Sequence, residues 1–293
     1  MALFSMGGGW TSTADAPATR NDLRRVATWP RMRPMRMRGW TGWTAVWWLG
    51  AGIAAAAGGD PAAEAQMARV QRSMPEVPLE LEAAIRVVDS NGKTLKTVQA
   101  EAVLTPRESG RTARYVLRDA FGGILEEMTV ELGAGAAAFA YALGDPPQPA
   151  PRPDLFGPIQ GSEISWMEMS FSYFWWPDPK IVGTEKVANR WECQIIEIPC
   201  PPEHGGGWSH LRLWVAPAYD AVVRGEAWRD GRAVKRFEVK SVKKLRQVYM
   251  IGDLEVKNLE TGARARLKVG RMRMLSPDYS PEELEEFNAP IAW

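Results

Sequence analysis

The fold class is decided by residues 263–269, which read ARARLKV. Small or apolar side chains alternate there with arginine and lysine. A period of two places the apolar side chains on one face of an extended strand and the charged ones on the other. Residues 237–241, which read FEVKS, repeat the alternation. Antiparallel sheets with one buried face and one wet face produce this pattern, so we predict a mainly β protein.

Glycine-containing turns divide the chain into further strands. Asn-Gly, Gly-Gly and Asp-Gly pairs supply the positive φ values of tight hairpin turns at little steric cost. We therefore expect three hairpins and one additional strand. They are residues 83–88 with 94–104 around Asn91-Gly92, 113–118 with 124–132 around Gly122-Gly123, 222–228 with 233–240 around Asp230-Gly231, and the single strand 136–143.

Proline and capping signals mark the non-β parts of the chain. Residues 144–153 contain five prolines, which lack backbone donors, so this stretch is predicted to be a surface connector. A flexible lid over a cavity is the alternative. Near the end, Ser280 followed by Pro281, Glu282 and Glu283 predicts a short, capped helix.

The densest apolar segment outside the N-terminal region is residues 164–177, which read ISWMEMSFSYFWWP. As a helix it would align Ile164, Met167 and Phe171 on one face, with Phe174 or Trp175 beyond them. As a strand it would place a different set of these side chains on one face. The pattern alone does not decide between helix and strand. We expect a helix at the start of the segment and a less regular backbone near its end.

Composition limits the possible classes of protein. The chain has 293 residues, of which 45% are hydrophobic and 24% charged, with 36 basic and 35 acidic residues. These values describe a folded protein and give no reason to expect a nucleic-acid partner. Tryptophan is unusually frequent at 14 residues, which indicates large, flat apolar surfaces.

Residues 1–65 are predicted to be an N-terminal extension followed by a signal peptide, with residues 66–293 as one domain. Four arginines in 31–38 precede an apolar run at 43–57 and a small-x-small site at 63–65. These are the three parts of a secretory signal, so cleavage is expected after Ala65 and the protein is expected outside the cytoplasm.

Alternatives to this N-terminal reading remain open. A retained membrane anchor is one, although the apolar run falls short of the roughly 20 residues that a spanning helix needs. The pair Arg24-Arg25 allows twin-arginine export. Translation starting at Met32, Met35 or Met37 is a further alternative.

The aromatic residues support two interpretations. One is a wall of a hydrophobic ligand cavity, where bulky rings leave gaps that acyl chains can enter and methionines adapt to the ligand. The other is ordinary core packing, which the residues alone favour. The candidates for a lipid cavity are Trp166, Met167, Phe171, Phe174, Trp175, Trp191, Trp214 and Trp228.

Chemical motifs are few. Cys193 and Cys200 can form a disulfide if a turn brings their Cα atoms within about 7 Å; otherwise they are free thiols, or zinc ligands together with His204 and His210. The spacing of these four residues lacks the short Cys-x2-4-Cys arm of structural zinc sites. No nucleophile elbow, phosphate loop or zinc-protease motif is present. We therefore predict no cofactor, no metal and no enzymatic activity.

Residues 174–187, which read FWWPDPKIVGTEKV, resemble the bacterial outer-membrane lipoprotein-sorting proteins, and the match continues through Arg190, Cys193 and residues 211–215, 226–231 and 234–242. The resemblance spans roughly residues 76–275 and is most specific between Ile164 and Lys240. It is nearest to an uncharacterised branch that includes treponemal lipoproteins. The resemblance implies a half-open antiparallel β-barrel with covering helices, the fold of the LolA, LolB and RseB proteins.

This resemblance implies a periplasmic carrier that binds the acyl chains of lipoproteins or other lipids by burial, without catalysis. Contact with membranes would be transient. The family's lid-holding arginine has no clear counterpart in this chain. A different class of function is an envelope interaction or stress-sensing protein, in which the same barrel binds a protein partner. An envelope hydrolase is a third hypothesis.

Overall fold

The computed structural model describes residues 3–5, 59–108, 110–133, 137–204, 207–246 and 248–288. All of these described residues belong to one compact unit of the chain. The predicted arginine-rich and apolar parts of the signal, the twin-arginine pair and the three alternative start methionines lie outside the described residues. No helix among the described residues is both long and apolar enough to cross a membrane.

Thirteen strands form one antiparallel sheet in the order β7-β6-β5-β4-β3-β2-β14-β13-β12-β11-β10-β9-β8, and β1 pairs with β13 beside this path. The prediction of a mainly β protein is thus confirmed. The strands are β1 (Leu3–Ser5), β2 (Leu79–Val88), β3 (Thr94–Arg107), β4 (Gly110–Arg118), β5 (Ile124–Gly133), β6 (Ala138–Leu143), β7 (Gln148–Pro149), β8 (Lys180–Val187), β9 (Trp191–Pro199), β10 (His210–Ala216), β11 (Ala221–Arg229), β12 (Arg232–Leu245), β13 (Val248–Asn258) and β14 (Arg264–Met274).

The sheet consists of two meanders, β2 to β7 and β8 to β14. They join at its centre, where β14 pairs with β2 from Arg264 opposite Val88 to Met274 opposite Leu79. The three hairpins predicted from sequence are confirmed. In two of them an aspartate fixes the turn: Asp89 Oδ1 and Asp119 Oδ1 each accept two backbone N–H groups. Each such aspartate forms a turn with its own backbone, as short acidic side chains commonly do.

The proline-rich connector is exposed over most of its length, as predicted, and contains only the two-residue edge strand β7. Residues 150–179, here called the crossover segment, then lead from β7 to β8 at the opposite end of the sheet. Within the crossover segment lie α2 (Trp166–Ser170) and two 3-10 turns, Ile159–Gly161 and Ser172–Trp175. The helical start and less regular end expected for the aromatic segment are therefore confirmed.

The sheet curves around the crossover segment. Trp166 contacts Tyr141 on β6 at 6.4 Å between ring centroids, and Tyr173 contacts Phe237 on β12 at 5.8 Å. Seven strand-to-strand steps separate β6 from β12, which is about 34 Å in a flat sheet. A segment of eight residues reaches both strands because the sheet is bent into a half-open barrel, the predicted fold class.

Helix α1 (Pro61–Arg72) covers part of this interior, and α3 (Pro281–Asn288) is the predicted C-terminal helix. Asp60 caps α1 by accepting from Ala62 N, and its other oxygen accepts from Ile181 N on β8 at 3.0 Å. Ala63 is fully buried. The predicted cleavage position after Ala65 therefore falls inside α1, and a cut there would remove both the cap and this buried residue.

Candidate functional site

The candidate site lies where the crossover segment fills the concave face of the sheet. Ser165 begins α2 with a capping box, because its backbone N–H donates to Glu168 Oε2 at 2.7 Å while its hydroxyl caps the N–H of Glu168. Phe171 ends the helix in the left-handed conformation, with φ of 53°. The 3-10 turn Ser172–Trp175 follows this early stop directly.

Four of the predicted cavity residues are buried in this interior, namely Trp166, Met167, Phe171 and Phe174. Trp175 is partly buried and packs against the same core. Tyr115 on β4 contacts Trp166, with 6.1 Å between ring centroids. Offset and edge-to-face contacts of this kind stabilise aromatic clusters beyond simple burial. The structure therefore brings five of the eight predicted residues together in one core, and of these five Phe171 lines the cavity described next.

An apolar cavity with a volume of about 30 Å³ remains between α2 and the sheet. This space holds no more than about two water molecules, and apolar cavities of this kind stay dry. All but two of the lining side chains, Glu101 and Glu168, are apolar or aromatic. The lining consists of Leu81, Ala83, Ala100, Glu101, Ala102, Tyr115, Ile164, Glu168, Met169, Phe171, Ile251, Leu254 and Leu267.

Glu168 brings a carboxylate to this apolar cavity. Its side chain is 1% exposed and forms an ion pair with Lys235 Nζ on β12 at 3.1 Å; the Lys235 side chain is 13% exposed. Lys235 Nζ also lies 5.9 Å from the centre of the Trp208 ring. A buried charge is tolerated only when paired and hydrogen-bonded, so this contact fixes α2 to the sheet.

Sequence reasoning missed this ion pair. The Ser165-x-x-Glu168 capping signature was present in the sequence, but the partner lysine lies 67 positions further along the chain, where no local pattern links it to Glu168. Two buried tyrosines were also not singled out. Burial raises the pKa of Tyr115 and of Tyr173, so both phenols stay neutral. The Tyr173 hydroxyl has no hydrogen-bond partner within the described part of the chain.

Three predicted cavity residues lie elsewhere. Trp191 and Trp214 belong to a second, smaller apolar cluster built on β8 to β11. The Trp214 indole N–H donates to Glu185 Oε2 at 2.8 Å. Trp228 stacks on His210, with 5.4 Å between centroids, and Arg212 lies 4.1 Å above its ring. These rings are fixed by polar neighbours and do not line the cavity.

The disulfide considered between Cys193 and Cys200 is not formed, and both thiols are free. Strand β9 runs extended through Pro199, so about 20 Å of chain separates the two cysteines, and they pack into different apolar clusters. Burial raises the pKa of each thiol to about 11. Within the described ranges, no group of three or more His, Cys, Asp or Glu side chains is placed to hold a metal ion.

His204 is the titratable group from which we expect a pH effect on stability. It is 9% exposed and stacks on Trp176 at 5.6 Å. Burial lowers its pKa below the ordinary value of 6.5, so the unfolded chain binds a proton that the folded chain does not. Stability should therefore be full above about pH 7 and decrease as the pH falls through about 6.5.

This prediction is checked by urea unfolding at several pH values between about 5 and 8. His204→Gln should weaken the pH dependence. Burial also lowers the pKa of His210, so this histidine contributes in the same direction. The double variant His204→Gln/His210→Gln should therefore remove the part of the pH dependence of stability that the histidines cause. An unchanged slope in the double variant would show that carboxylates, not these imidazoles, cause the dependence.

Comparisons with known proteins agree with this architecture. A family model described as an uncharacterized protein matches residues 151–280, and no curated protein matches the chain. A DUF1329 family protein from Desulfovibrio piger has 16% identity and a TM-score of 0.62, covering 75% of this chain and 94% of its own.

Two further solved structures are similar. A domain described as an outer membrane lipoprotein-sorting protein, from Vibrio parahaemolyticus, has 15% identity and a TM-score of 0.64, covering 78% of this chain and 96% of its own. A LolA superfamily protein from Nitrosomonas europaea has 12% identity and a TM-score of 0.55, covering 76% and 96%. At these identities the likeness concerns the fold.

Proposed function

Because the chain has the fold of the LolA superfamily of lipoprotein-sorting proteins, we propose that it is a periplasmic carrier that shields acyl chains from water. The observation that carries the proposal is the apolar cavity between α2 and the concave sheet. Its lining comes from both meanders and from the crossover segment. A ligand at this position would contact all three parts of the fold.

Burial alone supplies enough free energy for such a carrier. Each methylene removed from water contributes about 0.8 kcal/mol, so ten methylenes give about 8 kcal/mol before ordering costs. No chemistry on the ligand is needed. At about 30 Å³ the cavity is smaller than an acyl chain of this length, and aromatic rings of the crossover segment pack beside it. Loading then requires these rings to move apart.

Native mass spectrometry of the protein purified from a bacterial envelope tests the proposal. We expect additional mass that dissociates as lipid on activation, together with a chain shortened at its N-terminus. The protein mass also locates the cut: a start before Asp60 preserves the cap of α1, whereas a start at Gln66 removes it. Protein that remains empty, even after incubation with envelope lipids, would contradict the carrier function.

A second candidate is favoured by one observation, the dense filling of the concave face. If the rings serve only as core, the barrel is a rigid module that binds a protein partner in the envelope. That function predicts a stable protein complex and unchanged lipid transfer when the gene is deleted. Cross-linking in cells, followed by identification of the captured envelope protein, separates this candidate from the carrier.

A further inference from the structure

Strands β13 and β14 separate along part of their length. They pair from Lys257 opposite Arg264 to Asp253 opposite Lys268. Beyond that point, within the described residues, no ladder pair joins them, although β13 starts at Val248 and β14 continues to Met274. Each remains paired with its other neighbour, β12 or β2. The wall of the half-barrel therefore lacks direct strand pairing along this stretch, here called the β13–β14 gap.

The apolar cavity lies directly behind this gap. Ile251 and Leu254 on β13 and Leu267 on β14 are part of its lining, and Leu254 lies opposite Leu267, one pair before the strands separate. On the β14 side of the gap, Met272 and Met274 are partly buried against the core. Methionine side chains are flexible enough to move aside for a passing chain.

Two basic side chains, Lys243 and Arg246, bridge the gap, and Arg246 Nη1 donates to the carbonyl oxygen of Leu275, just after β14, at 3.0 Å. Lys243 on β12 extends past β13, and its Nζ donates to the carbonyl oxygens of Val269 and Gly270 on β14, the latter at 3.0 Å. Gly252 makes this path available, because a Cβ at that position would lie 2.7 Å from Ser241 Oγ and 3.1 Å from Lys243 Cγ. The ammonium thus joins the two sides of the gap through two backbone carbonyl oxygens of β14.

The free edge of β13 accepts a further strand. Leu3–Ser5 pairs with it antiparallel, Leu3 opposite Met250 and Ser5 opposite Val248. This segment belongs to the part of the chain that we expect to be removed during export. In the full-length chain it lies along the gap, and its removal leaves the β13 edge unpaired.

We propose that acyl chains enter and leave the cavity through the β13–β14 gap, a route that rests on the proposed carrier function. Widening the gap breaks the hydrogen bonds of Lys243 and Arg246 and no ladder bonds between β13 and β14. Entry past the crossover segment would instead break the buried Glu168–Lys235 pair and separate the aromatic rings. The gap is therefore the path that disturbs the fold least.

Cross-linking the gap tests this route in the mature protein, with Cys193 and Cys200 replaced by serine. Tyr249→Cys/Met272→Cys places thiols at positions that would continue the Asp253–Lys268 register, and a short bismaleimide joins them. Uptake is measured from vesicles of phosphatidylethanolamine and phosphatidylglycerol that carry a pyrene-labelled acyl chain. We expect uptake before cross-linking and its loss afterwards.

Glu255→Cys/Arg266→Cys is the matched control, because these residues already lie opposite each other in the paired part of the strands. Its uptake should not change on cross-linking. Lys243→Met should accelerate uptake about tenfold, through loss of a charged hydrogen-bond donor. Uptake that survives cross-linking of the gap would overturn the route and leave the carrier function standing, whereas no uptake by any uncross-linked form would overturn the carrier function itself.

Discussion

Lys235→Met is expected to lower the free energy of unfolding by about 3 kcal/mol, because it leaves the buried Glu168 carboxylate without its cation. Glu168 is 1% exposed, so water cannot replace the lost partner. The capping bond from Ser165 N to Glu168 compensates only in part. Urea unfolding measures the difference.

Two control variants make this result specific. Lys186→Met removes a lysine from the exposed pair with Glu192, whose side chains are 51% and 79% exposed, and should change stability by less than about 0.5 kcal/mol. Adding Glu168→Gln to Lys235→Met removes the stranded charge and should restore more than half of the loss. A Lys235→Met protein as stable as the Lys186→Met control would show that Glu168 is hydrated in solution.

Phe171→Ala should destabilise the fold by about 3–5 kcal/mol and increase the amount of bound lipid. Phe171 is 6% exposed and lines the apolar cavity, so removing its ring enlarges the space available to an acyl chain. The two effects are measured separately, by urea unfolding and by native mass spectrometry of protein purified from the envelope.

Trp191→Ala is the matched control for Phe171→Ala. Trp191 belongs to the second apolar cluster, so its removal should cost stability without changing lipid occupancy. If Phe171→Ala also loses stability with no gain in lipid, the rings are simple core, and the protein-binding candidate becomes the better description.

Local signals predicted the strands well, because turn chemistry acts within a few residues. Asn91-Gly92 and Asp230-Gly231 fix hairpins through their own backbone preferences, independently of the rest of the chain. The early helix of the aromatic segment follows in the same way from Ser165 and Glu168. These elements required no knowledge of tertiary contacts.

The site was predicted less completely, because strand faces depend on register. In β9, Ile195 and Ile196 are adjacent, so hydrophobicity alone does not show which of them faces the interior. The side of the sheet taken by Trp191 and Trp214 was therefore not determined by residue type. The Glu168–Lys235 pair and the β13–β14 gap depend on contacts between distant segments, for which a single sequence carries no local signal.

The central pairing of β2 with β14 has a consequence for biogenesis. These strands are neighbours in the sheet, yet nearly the whole domain lies between them in the chain. Non-local pairing delays folding, since the intervening chain must first be made and its ends brought together. The two meanders can each form early, but the half-barrel closes only after the last strand has been synthesised. A chain whose folding is delayed in this way stays unfolded while it is being made. This is the state that a translocation channel for unfolded polypeptides requires.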